Sequence, residues 1–184
     1  LASADRTLTS SSNGAIGMGA TNGAYGLTIS NGSGAITLAA IGASTPLTTL
    51  TLQGTGLNTL GGDISTSGAV DLKGSSRKNT FAANRTITTT NSSGNGNITL
   101  GTTNSAYSLT LNAGSGSVSL GALGTTADSQ TGVPLASVTI TGTGANTLAG
   151  SISSTGNVNL GTGRATSIAS SLTIGSGSGA MTLG

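Results

Sequence analysis

A long internal repeat is the feature that most constrains the fold of this chain. The stretch LTISNGSGAITLAAIG, which begins at Leu27, matches LTLNAGSGSVSLGALG, which begins at Leu109, at an offset of 82 residues. Residues 50–72 match residues 138–160 at an offset of 88. Self-similarity of this length is the sequence signature of repeat architectures, in which each unit buries its apolar face against its neighbours.

The two copies differ mainly in one loop, which spans 43–49 in the first copy and 125–137 in the second. A repeat stack tolerates such a length difference, because an insertion in a loop leaves the stacked strands intact. The sequence therefore predicts one continuous unit made of supra-repeats at about 5–83 and 84–163 and a truncated third copy at about 164–184.

Each supra-repeat contains aliphatic–polar–aliphatic triplets, such as Leu27-Thr28-Ile29, at a mean spacing of about 20 residues. Along a strand, the two aliphatic side chains point to one face and the polar one to the other. We therefore predict an all-β fold, a single-stranded parallel β-helix (β-solenoid) with about 20 residues per coil. An antiparallel β-sandwich remains the competing fold. The solenoid predicts parallel strands at 27–29, 36–38, 50–52, 109–111, 118–120 and 138–140.

The composition suits a narrow interior. The chain has 32 Gly, no Cys, His or Trp, and only three aromatic residues, Tyr25, Phe81 and Tyr107. Large side chains for a conventional globular core are missing, so we expect Leu, Ile and Val inside, with Ala, Ser and Gly at the corners. A formal net charge of only +2 gives no indication of a nucleic-acid partner. No apolar run is long enough to predict a membrane-spanning helix.

Groups able to perform catalysis are scarce. Without His, Cys or Glu, only Asp5, Asp63, Asp71 and Asp128 could act as acids or bases. We interpret them as exposed turn residues and predict a non-catalytic protein with no cofactor and no metal site. A β-helical polysaccharide lyase or hydrolase is the enzymatic alternative.

One basic stretch, KGSSRK, follows the triplet at 70–72. Its residues Lys73, Arg77 and Lys78 could contact an anionic polysaccharide, although a solvated loop is the simpler interpretation. Arg6 and Arg85 occupy matching positions in the two copies. We expect them to lie on one face, one supra-repeat apart.

Threonine pairs flank single aliphatic residues at several strands. Ranks of Thr-x-Thr on a flat solenoid face are the feature that ice-binding solenoids use, so an ice-binding module is the alternative function. The alternative interpretation is that β-branched Thr suits exposed strand positions. The outward threonines in question are Thr49, Thr51, Thr86, Thr88, Thr139 and Thr141.

The strings LTLNAGSGSVSLG, ITLGTTNSAYSLTL and VTITGTGANTLAGSIS resemble repeats of filamentous-haemagglutinin-like proteins, the large exported β-helical adhesins and matrix proteins of bacteria. The resemblance covers nearly the whole chain. It implies a right-handed parallel β-helix, export to the cell surface, and a role in adhesion, biofilm or filament building.

Neither 1–19 nor 165–184 has the pattern of a polar cap; both have that of ordinary repeat. We therefore expect the partners to be copies of this chain or further repeats stacked head to tail, with surface or matrix polysaccharide as a further expected partner. The predicted function is a structural and adhesive shaft segment of a large extracellular bacterial surface or filament protein.

Overall fold

The computed structural model of the chain describes residues 4–90, 95–126 and 132–184. These residues form an all-β solenoid of about 8 turns with about 22 residues per turn. Every strand pair in them is parallel, from one end of the stack to the other. The predicted parallel β-helix is therefore confirmed, and the antiparallel sandwich is wrong. Within the described ranges, no helix has the length and apolarity needed to cross a bilayer.

Each coil passes through three sides, which we call A, B and C. Side A is one eight-stranded sheet of β1 (Arg6–Thr9), β3 (Leu27–Ser30), β5 (Leu50–Gln53), β8 (Val70–Asp71), β11 (Ile98–Leu100), β13 (Val118–Leu120), β15 (Asn146–Leu148) and β18 (Thr166–Ile168). Side B contains β2 (Ile16–Met18), β4 (Ile36–Leu38), β6 (Leu57–Leu60) and β9 (Lys78–Phe81), and then β16 (Ile152–Ser154) and β19 (Ile174–Ser176). Side C contains β7 (Ile64–Ser65), β10 (Arg85–Thr88), β12 (Leu109–Asn112), β14 (Val138–Thr141), β17 (Val158–Asn159) and β20 (Met181–Thr182).

In some coils a side has no strand, and a single residue in a β-bridge takes its place. On side B, Thr103 bridges Asn79 in β9 to Leu123, and Leu123 bridges to Ile152 in β16. On side C, Thr21 and Ile41 occupy the positions that precede β7. The stack is therefore continuous on all three sides.

The predicted inward and outward positions are also confirmed. In β12, Leu109 and Leu111 are buried, whereas Thr110 between them is half-buried. The six strands predicted from the triplets all show this alternation. Their buried aliphatic side chains form one hydrophobic cluster that runs through the stack. At about 25 cal/mol per Å² of apolar surface removed from water, burial in this cluster is the main stabilising contribution.

The two supra-repeats are not aligned on the same sides. One full turn passes through three sides. Along the chain, the first supra-repeat passes through eleven successive side segments, which is three full turns and two further segments, so the second copy begins on a different side. The sequence match of β1 on side A is β10 on side C, and the match of β4 on side B is β13 on side A. Arg6 in β1 and Arg85 in β10 therefore lie on different sides, and the expectation that they share one face is wrong.

Glycine is required where corners of successive coils approach each other. Gly54 has a φ of +108°, and a Cβ there would lie 2.1 Å from the carbonyl oxygen of Gly32 in the preceding coil. Its counterpart Gly142 has a φ of +104°, and a Cβ would lie 2.0 Å from the oxygen of Gly114. Both the left-handed backbone and the close stacking exclude other residues there.

Candidate functional site

The basic stretch at 73–78 is divided between the surface and the interior. Lys73 is exposed and Lys78, the first residue of β9, is half-buried. Arg77 is 0 % exposed and is among the largest fully buried side chains of the described chain. The prediction that Arg77 belongs to a surface loop, whether binding an anion or merely solvated, is therefore wrong. So is the expectation that the interior holds only small and aliphatic side chains.

Arg77 lies in the corner between sides A and B, and its guanidinium points back into two preceding coils. Its Nε donates to Oδ1 of Asn58. Its Nη1 donates to the carbonyl oxygen of Gln53 at 3.1 Å, and its Nη2 donates to those of Gly34 at 2.9 Å and Leu57 at 3.4 Å. We call Arg77 together with these four acceptor residues the Arg77 clamp. The three carbonyl acceptors belong to residues at or beyond the ends of strands, whereas Asn58 is an inward residue of β6 and accepts through its side-chain amide.

A second clamp of the same design occurs at Arg164, which lies at the expected boundary between the second and third copies and whose equivalence to Arg77 places it at the end of the second. Arg164 is 2 % exposed, and its Nε donates to Oδ1 of Asn146 at 2.8 Å. Asn146 is the sequence counterpart of Asn58. The remaining donors of Arg164 contact the carbonyl oxygens of Gly114, Gly116, Thr141 and Ala145, at distances between 3.1 and 3.4 Å. We call Arg164 with these five acceptor residues the Arg164 clamp.

Every acceptor described for the two guanidinium groups is a neutral oxygen of the backbone or of an asparagine amide. Because burial disfavours the charged form, the pKa of Arg77 and that of Arg164 are lowered from the usual arginine value. Arginine stays protonated in proteins nonetheless. Each clamp therefore holds a buried positive charge that is stabilised by backbone dipoles and an amide. Hydrogen bonds to a charged group are about twice as strong as neutral ones, which offsets part of the cost of burial.

Buried asparagines connect the clamps to the neighbouring coils. The Nδ2 of Asn58 donates to Oδ1 of Asn79 at 2.9 Å and to the carbonyl oxygen of Leu72 at 3.1 Å. In the second copy, Nδ2 of Asn146 donates to the carbonyl oxygen of Leu160 at 2.7 Å. Among the described buried side-chain atoms, only Oδ1 of Asn31 lacks a partner. The polar interior is thus almost fully hydrogen-bonded, as buried polar groups must be to avoid a large penalty.

Sequence reasoning missed the clamps for an identifiable reason. At the offset of 88 that aligns the second half of the repeat, Arg77 falls opposite Ala165 and not opposite Arg164. A one-residue deletion in the turn before Arg164 shifts the two arginines out of register, and the Gly, Ser and Thr residues around them have the pattern of a solvated loop. The available signal was the pairing of each Asn-Thr-Leu triplet with an arginine 18 or 19 residues later.

The aspartates accept hydrogen bonds from the backbone. Oδ1 of Asp5 accepts from Gly26 N–H at 2.7 Å, Oδ1 of Asp63 from Thr86 N–H at 3.0 Å, and Oδ1 of Asp71 from Lys73 N–H at 2.9 Å. The counterparts of these aspartates make the same bonds with neutral oxygens. These counterparts are Asn84, which accepts from Ser108, Ser151, which accepts from Thr173, and Asn159, which accepts from Gly161.

In this structure each described carboxylate accepts backbone hydrogen bonds at one corner, and the residues that replace it in the second copy accept the same bonds with a neutral oxygen. A role that an amide or a hydroxyl fills equally well needs no charge and no proton transfer. Asp128 lies outside the described residues. Within the described ranges, no group of three His, Cys, Asp or Glu side chains could hold a metal ion.

The predicted threonine pairs occupy two sides of the solenoid. The pair Thr49 and Thr51 is on side A, at β5, whereas the other two pairs are on side C, in β10 and β14. The six threonines therefore do not form one rank. On side C, however, β12 lies between the two Thr-x-Thr strands and adds Thr110 and Asn112. The pairings align the outward residues in two columns, Thr86–Thr110–Thr139 and Thr88–Asn112–Thr141.

Of the three predicted anion-contact residues, Lys73 alone is fully accessible. It borders a groove of about 430 Å³ that follows the A–B corner across several coils. Gly101 and Gly121 lie along its length, and Ser75 and Ser151 add hydroxyl groups. The groove thus presents one ammonium group and several hydroxyls to solvent.

No family model, no curated protein and no solved structure matches this chain. The structural features that bear on function are a continuous core, two internal clamps, carboxylates that accept backbone hydrogen bonds, and outward columns of hydroxyl groups.

Proposed function

We propose that this chain is a non-catalytic shaft segment of a large extracellular bacterial surface or filament protein, which serves adhesion, biofilm matrix or fibre formation. The observation that carries the proposal is the single hydrophobic cluster that runs through the stacked coils. Such a stack has a fixed rise of about 4.8 Å per coil, so its eight turns amount to a rod of about 40 Å. Rigid length is the property that this architecture supplies.

The outermost described coils support continued stacking. Leu8, Ile16 and Met18 pack against the core but remain partly exposed at one end. At the other end, Ile168 is 59 % exposed and Met181 is 41 % exposed. Among the described residues, their strands β18 and β20 are each paired on one side only, and the open edge of a strand readily pairs with another strand. A coil of the same type is the partner that such a surface fits best.

The loops supply the adhesive part of the proposal. Residues 43–45 and, in the longer counterpart 125–137, Val133 and Pro134 are exposed, whereas Leu47 and Leu135, which follow them, pack in the core. The exposed segment before each leucine can therefore vary in length without disturbing the stack. Surface or matrix polysaccharide is the ligand class that we propose for the loops and for the groove beside Lys73, because hydroxyl groups and one cation suit an anionic glycan.

The experiment is to express the chain and measure its mass by light scattering over a hundredfold range of concentration, with electron microscopy alongside. We expect linear assemblies that grow with concentration. The variant Ile168→Asp should shift the assemblies to smaller sizes, because it places a charge on the stacking surface. Thr110→Asp, on an outward position in the middle of the stack, is the matched control and should leave assembly unchanged. A folded monomer at every concentration would contradict the proposal.

A second candidate function, ice binding, is favoured by one observation. The outward columns on side C place three consecutive ranks of hydroxyl or amide groups on one sheet, with Thr110 at the centre. Columns of this kind have the rise of the coils, about 4.8 Å, and could order water in a lattice.

The test for ice binding is thermal hysteresis of the purified chain. Activity should be lost in Thr110→Tyr, which disrupts the central rank. It should persist in Thr28→Tyr, because Thr28 is the sequence counterpart of Thr110 but lies on side A. Absence of thermal hysteresis in the unmodified chain would eliminate this candidate.

A further inference from the structure

Each arginine clamp spans three consecutive coils. Arg77 lies between β8 and β9, its acceptors Gln53 and Leu57 lie one coil back, and Gly34 lies two coils back, between β3 and β4. The strand ladders, by contrast, join each coil only to the next one. The clamp is therefore a direct connection between coils that share no backbone hydrogen bond in the ladder.

The Arg164 clamp has the same reach on another corner. Arg164 lies between β17 and β18, and its acceptors lie one coil back, Thr141 at the end of β14 and Ala145 immediately before β15. Gly114 and Gly116, between β12 and β13, lie a further coil back. Its corner joins sides C and A, whereas the corner of Arg77 joins sides A and B. This is the shift of one side that separates the two supra-repeats.

The clamps divide the stack into two blocks. The first runs from Gly34 to Arg77 and the second from Gly114 to Arg164, and every acceptor described for the two guanidinium groups lies outside the interval 78–113. Opening a coil inside a block would leave a buried guanidinium or several buried carbonyl oxygens without partners, which is costly in a dry interior. Opening within the interval breaks strand pairing and the Asn58–Asn79 hydrogen bond but leaves the hydrogen bonds of both guanidinium groups intact.

We propose that each clamp makes its three coils open as one unit, so that the solenoid opens in blocks, one per supra-repeat, and not coil by coil. This inference rests on the hydrogen-bond geometry and is independent of the shaft function. Stability in repeat proteins is otherwise close to a sum of nearest-neighbour interactions. A connection to the second neighbour adds a cooperative unit that the ladders alone do not supply.

The experiment is hydrogen–deuterium exchange of the full chain, followed by mass spectrometry of peptides. In Arg77→Met, which keeps the length of the side chain but removes its donors, amide exchange in β4–β6 should accelerate at least tenfold, while β13–β15 stay unchanged. Arg164→Met should give the reverse pattern. Lys73→Met, which removes an exposed charge close to Arg77 in the chain, is the control and should change neither block.

A third variant, Arg77→Lys, separates geometry from charge. Lysine keeps the positive charge but cannot reach acceptors on two coils with a planar fork of donors. It should therefore accelerate exchange in the first block, as the Met variant does. Equal acceleration in both blocks, unchanged exchange in the clamped block, or failure of both Met variants to fold would each overturn the proposal.

Discussion

The assignment of inward and outward side chains can be tested most severely at Leu111. This residue lies in the middle of the stack in β12, is 0 % exposed, and is paired with Ile87 in β10 and Ile140 in β14. Replacing it by Asp removes an aliphatic side chain from the core and puts a carboxyl group in its place. Thr110, the preceding residue, faces outwards and provides the matched position for the same substitution.

Two contributions determine the expected effect of Leu111→Asp. Loss of a buried Leu side chain costs about 2–5 kcal/mol. A carboxyl group buried in an apolar interior has its pKa raised by up to about 3–5 units, so the folded protein keeps it protonated at pH 7. Since the unfolded chain ionises above about pH 3.9, keeping the proton costs about 4 kcal/mol at pH 7. The sum is comparable to the total stability of an ordinary domain, about 5–15 kcal/mol.

The pH dependence identifies the mechanism. Below about pH 3.9, both the folded and the unfolded state carry the protonated carboxyl, so only the packing cost remains. Above that pH, the unfolded state has lost the proton and the folded state has not, so stability falls by about 1.4 kcal/mol per pH unit up to the raised folded pKa. Leu111→Asn, which is polar but does not titrate, should be destabilised without this slope.

The assay is urea unfolding followed by circular dichroism between pH 4 and pH 7, on the unmodified chain and the three variants. We expect Leu111→Asp to be unfolded or nearly so at pH 7 and to recover part of its stability at pH 4, whereas Thr110→Asp should lose less than about 1 kcal/mol at either pH. Equal losses in the two Asp variants, or no difference in pH dependence between Leu111→Asp and Leu111→Asn, would refute the reasoning.

Three further outcomes are expected from the same unfolding assay. Asp71→Asn should change the free energy of unfolding by less than about 0.5 kcal/mol, because the second copy makes the same backbone hydrogen bond with an amide oxygen. Gly54→Ala should cost more than about 2 kcal/mol through its positive φ and the close carbonyl, whereas Gly17→Ala, with no atom within 4 Å, should be neutral or slightly stabilising. Replacing 43–49 by 125–137 should cost only about 0.6 kcal/mol, because loop-closure entropy grows slowly with length.

The strands and the inward or outward direction of their side chains were predictable, because the alternation of aliphatic and polar residues indicates both directly. Leu27-Thr28-Ile29 and the five triplets like it specify both a strand and its inward face, and parallel stacking follows from their repetition. The strands β6 and β15 were not predicted. In Leu57–Leu60 and Asn146–Leu148 an asparagine takes an inward position that an aliphatic residue fills elsewhere, and a polar residue there resembles a turn.

The clamps and the side assignments depend on geometry that local sequence does not contain. An arginine among Gly and Ser residues has the pattern of a surface loop, and only the converging carbonyl oxygens of the two preceding coils make Arg77 an interior residue. Likewise, the triplet at Leu27 and that at Leu109 are nearly identical in sequence, so nothing local distinguishes side A from side C. The side depends on the number of corners between the two triplets, which includes corners marked by a single bridge, such as Thr21 and Ile41.

The count of eleven sides has a direct consequence for the proposed shaft. Because eleven is not a multiple of three, each supra-repeat presents its equivalent loops one side away from those of the copy before it. In an array of such units, the pattern returns to the same side after three supra-repeats, which make eleven whole coils or about 50 Å at about 4.8 Å per coil. A repeat of twelve sides would place every loop such as 43–49 on one side of the rod. Eleven sides distribute the loops around it, so that a shaft built in this way can meet a surface or a neighbouring shaft from any direction, while its core remains uniform along the whole length.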